Sequence, residues 1–107
     1  MEELETVLSK DKPLYILKHS TRCPISGSAY GRVQEYEESR GPESLPVYMV
    51  KVIESRPVSN AIAERLNVAH KSPQVILVKD GESVWSASHH GITVERLEEA
   101  AEKASVD

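Results

Sequence analysis

A chain of 107 residues is long enough for one domain with one modest core and too short for two. Its 39% apolar and 28% charged residues are the balance of a globular chain, which excludes a disordered one. The net charge of -4, with no Lys/Arg block, argues against nucleic acid as a partner, and no apolar run approaches a bilayer span.

The first residues, Met1 to Glu5, are acidic and lack the basic start and apolar core of a secretory signal; no lipidation signal is recognisable. The expected compartment is the cytoplasm. The single cysteine agrees, because a small secreted domain normally carries paired cysteines.

In chain order, Glu2 to Ser9 reads as a short helix with Leu4, Val7 and Leu8 on one face, broken by Asp11-Lys12-Pro13. Leu14 to Leu17 is a continuous apolar run, the pattern of a strand buried on both faces. After polar His19 to Arg22 a helix opens at Cys23-Pro24, carrying Ile25, Ala29, Val33 and Tyr36 on one face and stopping at Gly41-Pro42. Leu45 to Ile53 holds a second strand, Val47 to Val52, and a second helix runs from about Arg56 to Leu66, with Val58, Ile62 and Leu66 on one face. A loop through Val68 to Pro73 leads to the strand Gln74 to Val78. Asp80-Gly81 is a two-residue hairpin signal before a strand around Ser83 to Ser88. The last helix starts near Thr93, with Ile92 and Leu97 spaced for a hydrophobic staple and Val94, Leu97, Ala101 and Ala104 on its inner face.

The order helix, β, α, β, α, β, β, α begins with a βαβ unit, which expects parallel strands, and ends in an antiparallel hairpin covered by a helix. The predicted fold class is α/β: a central mixed four-stranded sheet in one domain, flanked by helices on both faces.

Cys23 stands where a buried strand hands over to a helix. The first turn of a helix carries unpaired N–H groups and the positive end of the macrodipole, and both favour a thiolate, the nucleophilic form. Arg22 is adjacent and adds a positive charge. Pro24 fixes the chain direction after the sulfur. Ser26 holds the position where a dithiol oxidoreductase carries its resolving cysteine, and a hydroxyl cannot attack a mixed disulfide. The chemistry open to the site is monothiol: Cys23 takes up one half of a disulfide and is released by an outside thiol. Ser72-Pro73 stands directly before a buried strand, where proline is tolerated at the first position.

Other candidates carry less. Neighbouring His89 and His90 near a strand end would point to opposite faces if extended, and His19 and His70 stand alone; no metal-ligand spacing is present. Gly27 is read as permitting close packing early in its helix. The clusters Glu35-Glu37-Glu38 and Glu98-Glu99-Glu102 are solvated helix faces, and Trp85 is a partly buried cover of the hairpin.

The chain resembles the thioredoxin superfamily and, more closely, the monothiol bacilliredoxins. The similarity rests on Leu17-Lys18-His19-Ser20 leading into Cys23-Pro24-Ile25-Ser26, on Leu66-Asn67-Val68 with His70-Lys71-Ser72-Pro73-Gln74, and on Lys79-Asp80-Gly81 followed by Val84-Trp85. The resemblance implies a thioredoxin-like fold, Cys23 as nucleophile, Ser26 in the resolving position and Pro73 as a cis proline that faces the cysteine, with the Ser72 backbone available to an extended substrate segment. It also implies bacillithiol as thiol co-substrate, with no tightly bound cofactor, and S-bacillithiolated proteins as targets. One departure is visible: the family usually has Thr directly before the cysteine, where this chain has Arg22. Two other functions fit the same residues: an iron–sulfur cluster carrier using one cysteine per protomer, and a non-catalytic module that kept the fold.

Overall fold

In the computed structural model, residues 13–20, 24–40, 45–51, 56–69, 71 and 73–105 are described, with backbone only for 24–26, 40, 90 and 105. The elements are β1 (Leu14–His19), α1 (Pro24–Arg40), β2 (Val47–Lys51), α2 (Arg56–Leu66), β3 (Gln74–Lys79), β4 (Glu82–Ser88), a 3-10 turn (His89–Gly91) and α3 (Val94–Ser105). The expected helix at Glu2 to Ser9 lies outside the described residues.

The strands form one sheet in the order β2-β1-β3-β4. β1 pairs with β2 in parallel and with β3 antiparallel, and β3 pairs antiparallel with β4. The βαβ half and the hairpin half therefore meet at the β1–β3 seam. That seam explains why Leu14 to Leu17 and Gln74 to Val78 are buried throughout: each strand has a neighbour on both sides and helices on both faces.

Alternation sorts the two apolar runs between two cores. Tyr15, Leu17, Val75 and Leu77 face α1 and α3, where they meet Ala29, Val33, Tyr36, Ile92, Leu97 and Ala101. Leu14, Ile16, Ile76 and Val78 face α2 and meet Ile62 and Leu66. Each buried side chain of this kind contributes about 1.5–3 kcal/mol of transfer free energy. The predicted helix faces therefore hold at Ala29, Val33, Tyr36, Ile62, Leu66, Leu97, Ala101 and Ala104, and Ala100 joins them. Tyr15 centres the larger core. Its ring meets Tyr36 edge-on at 5.5 Å and Trp85 at 6.2 Å, and its hydroxyl donates to the Leu97 carbonyl. Trp85 is the partly buried cover expected.

Turn chemistry follows the sequence at Asp80-Gly81, where both residues have positive φ (55° and 78°), as a two-residue hairpin of the I′ type requires. Asn67 (φ 53°) ends α2 in the left-handed conformation usual after a helix. Thr93 Oγ1 accepts the Arg96 N–H at 3.2 Å, capping α3, and Ile92 and Leu97 are both fully buried in the same cluster.

Three expectations need correction. β1 runs on through Lys18 to His19, because both residues keep their pairing with β2. His89 and His90 lie in the 3-10 turn rather than in extended strand. Gly27 is exposed, and among the described residues nothing lies within 4 Å of where its Cβ would stand, so it is not a close-packing glycine.

Candidate functional site

Strand directions gather the site. β1 ends at His19, with Ser20 buried just beyond it, and α1 starts at Pro24. β3 runs antiparallel to β1, so its first residue, Gln74, pairs with Lys18, and Pro73 precedes it. β4 returns antiparallel to β3 and ends at Ser88 opposite Gln74. The His89 N–H then donates to the Pro73 carbonyl at 3.1 Å, tying the 3-10 turn to that end. One end of the sheet thus collects the close of β1, Pro73 and the 89–91 turn.

Of the residues singled out from the sequence, Pro73 is buried at this end. Pro24 is the first residue of α1 and Ser26 lies in its first turn. Arg22, Cys23 and Ser72 lie outside the described residues, and so do His70 and the Ser72–Pro73 peptide bond. In sequence, Cys23 is the residue bonded to Pro24. The 17-residue helix that Pro24 opens has no acidic residue in its first turn. The positive end of its dipole is therefore not offset by a carboxylate, the arrangement that favours an anion at a helix start.

Buried polar side chains that the sequence reading missed lie at this end and on the α2 face that covers it. Lys18, Ser20, Ser59 and Gln74 are the buried polar side chains among the described residues. Lys18 and Gln74 are register partners, and Lys18 shares the α2-facing side with Leu14 and Ile16. Ser59 lies one turn into α2, on the face of Ile62 and Leu66. Burial pushes the Lys18 amine below its ordinary 10.5. The Gln74 amide donates to the Ala69 carbonyl at 3.1 Å, while its buried Oε1 has no hydrogen-bond partner among the described residues. His19, on the opposite face, sets its ring edge-on to Tyr30 at 5.6 Å, and its buried Nδ1 likewise has no partner among the described residues. The signal available in the sequence was parity: Lys18 continues the Leu14, Ile16 alternation, and Ser59 stands three residues before Ile62.

A second feature lies at the far, hairpin end. A hollow of ≈ 250 Å³ opens between the sheet and α3, lined by Leu77, Lys79, Val84, Trp85, Lys103 and Ala104 among others. Lys79 Nζ donates to the Ala104 carbonyl at 2.9 Å, satisfying the C-terminal end of α3. Among the described residues, no three His, Cys, Asp or Glu side chains cluster to hold a metal ion, and no helix is long and apolar enough to cross a membrane.

The family model of the monothiol bacilliredoxin BrxC matches residues 1–97. A solved structure described as a candidate oxidoreductase with a thioredoxin fold is 35% identical, with a TM-score of 0.85, over 95% of this chain and 88% of that one. A mutant thioredoxin from Halobacterium salinarum is 19% identical, with a TM-score of 0.76, over 98% and 85% of the two chains. Thioredoxin from Fasciola hepatica is 17% identical, with a TM-score of 0.72, over 97% and 93%. The last two share the fold.

Proposed function

This chain belongs to the monothiol bacilliredoxin family, which places its function in thiol redox chemistry, and we propose that it removes bacillithiol from S-bacillithiolated proteins through Cys23. The observation that carries this reading is the chain's single cysteine, bonded to the proline that opens a 17-residue helix free of acid in its first turn.

The Cys23 thiolate attacks the bacillithiol sulfur of the mixed disulfide. That S–S bond breaks, and the target's cysteine leaves as a thiolate that takes a proton from water. Cys23 is left joined to bacillithiol. Ser26 offers only a hydroxyl, so no internal disulfide forms. A second thiol, free bacillithiol, attacks the bacillithiol sulfur on Cys23, giving bacillithiol disulfide and restoring the Cys23 thiolate. Arg22 favours the carboxylates of bacillithiol, and Ser72 and Pro73 receive the extended chain of the target. The reaction belongs in the cytoplasm and calls for neither a tightly bound cofactor, nor nucleic acid, nor a membrane.

The test is intact mass after mixing reduced protein with a bacillithiolated target. The expected result is one bacillithiol gained by the protein and lost by the target, with no transfer in Cys23→Ser. Failure across several targets, with Cys23 shown to be reduced and reactive, overturns the exchange reading. Visible absorbance after anaerobic iron–sulfur reconstitution would then point to a cluster carrier.

A further inference from the structure

His89 occupies an unusual place. Its φ of 53° lies in the left-handed region, where glycine or asparagine sits at lower cost. Unlike Asp80 and Asn67, it neither turns a hairpin nor ends an α-helix. Its backbone N–H holds the turn to Pro73, while its side chain is exposed and has no hydrogen bond or ring contact among the described residues. The fold uses this residue's backbone and leaves its imidazole facing solvent at the site end.

The turn also has cationic neighbours. Arg32 reaches from α1 and donates through Nη1 to the Ile92 carbonyl at 3.2 Å, using one of the five N–H donors of a guanidinium. Arg96 Nη1 stands 3.5 Å from where a Cβ on Gly91 would be. Glu95 is the acidic residue in the first turn of α3, and the Glu98 carboxylate accepts the Ser39 hydroxyl at 3.0 Å. In a chain of net charge -4, the three-residue turn that exposes His89 therefore has one guanidinium against Gly91 and another on the residue that follows it, Ile92. Arg32 lies eight residues into α1, about 12 Å along the helix from Pro24.

We infer that the 89–91 turn is the anion-recognising part of the exchange site. The exposed His89 side chain, on the turn that Arg32 flanks through its bond to the Ile92 carbonyl, takes the carboxylates carried by the low-molecular-weight thiol half of the mixed disulfide. His89 is thus a specificity-determining residue, and this inference rests on the exchange reading above.

Exchange kinetics with two small disulfides test it: bacillithiol disulfide, which carries carboxylates, and uncharged 2-hydroxyethyl disulfide. His89→Gly is expected to lose about tenfold in kcat/KM for bacillithiol disulfide, through KM, the size expected for one lost charge-assisted hydrogen bond. Its rate with 2-hydroxyethyl disulfide should match wild type, and its thermal midpoint should be equal or higher, because glycine accepts the backbone conformation. His89→Asn, which keeps that conformation and an N–H donor, should recover part of the loss. Unchanged rates with both disulfides overturn the inference, and so does an equal loss with both. If the wild-type protein reacts with neither disulfide, the exchange reading fails separately. Binding then decides: His89 ring resonances of Cys23→Ser that do not move on adding reduced bacillithiol also overturn the inference.

Discussion

The two ends of the sheet are built on opposite terms. At the hairpin end, Leu14 and Tyr15 of β1 face Val78 and Leu77 of β3, and the strands turn on Asp80-Gly81. Its buried side chains are apolar, its turn is the one its residues favour, and the Lys79 ammonium rests on the Ala104 carbonyl. At the other end, Lys18 faces Gln74, both buried, with an amine pushed down from its ordinary value and an amide oxygen without a partner among the described residues. His89 there holds a left-handed backbone conformation. One end is locally consistent; the other carries buried polar groups and an unfavourable φ, costs that proteins accept mainly at functional sites. The pattern is independent of any family assignment and points to the same end.

Substitutions at the two ends should separate stability from chemistry. The largest effect belongs to Leu77→Ala, which empties a fully buried position between Tyr15 and Trp85. It should cost about 3 kcal/mol by denaturant unfolding while leaving the exchange rate of the folded fraction unchanged. A loss below about 1 kcal/mol would mean that burial at this end contributes little to stability. Gln74→Met should act with the opposite sign. It removes a buried oxygen with no partner among the described residues, together with the amide's bond to the exposed Ala69 carbonyl, which water can then satisfy; the net gain should be about 1 kcal/mol, and exchange should slow if the buried polar residues serve the site. A gain in stability with full activity would make those residues a mere cost of the fold.

The smallest signal is a slope. Because burial lowers the Lys18 pKa, the unfolded chain binds more protons than the folded one between that lowered value and 10.5. Stability contributed by this group therefore rises with pH across that window. The difference in unfolding free energy, wild type minus Lys18→Met, should increase with pH there. A flat difference would show that the amine is solvated and that the two ends differ less than their burial indicates.

Much of this architecture was legible in the residues. The Arg56 to Leu66 helix, the Asp80-Gly81 hairpin, the Thr93 cap and the α/β order follow from periodicity and turn chemistry, which act over a few residues and carry their own physical signal. Cys23, Pro24, Ser26 and Pro73 stood out as a site for the same reason, since a cysteine before a helix start is a local pattern. Less local features did not show. Gly27 looked like a packing glycine because sequence does not say what lies across from it. Nothing local marks Lys18 and Gln74 as buried, because their burial depends on α2 covering one face and on a register between segments more than fifty residues apart.

The chain by itself determined which segments become strands and helices and what monothiol chemistry its lone cysteine allows. Only the tertiary structure decided that the 89–91 turn closes against Pro73, that Arg32 reaches it, and that the polar residues are buried at one end of the sheet. Those are contacts between distant segments. They are fixed by strand direction and pairing register rather than by any preference of the residues themselves.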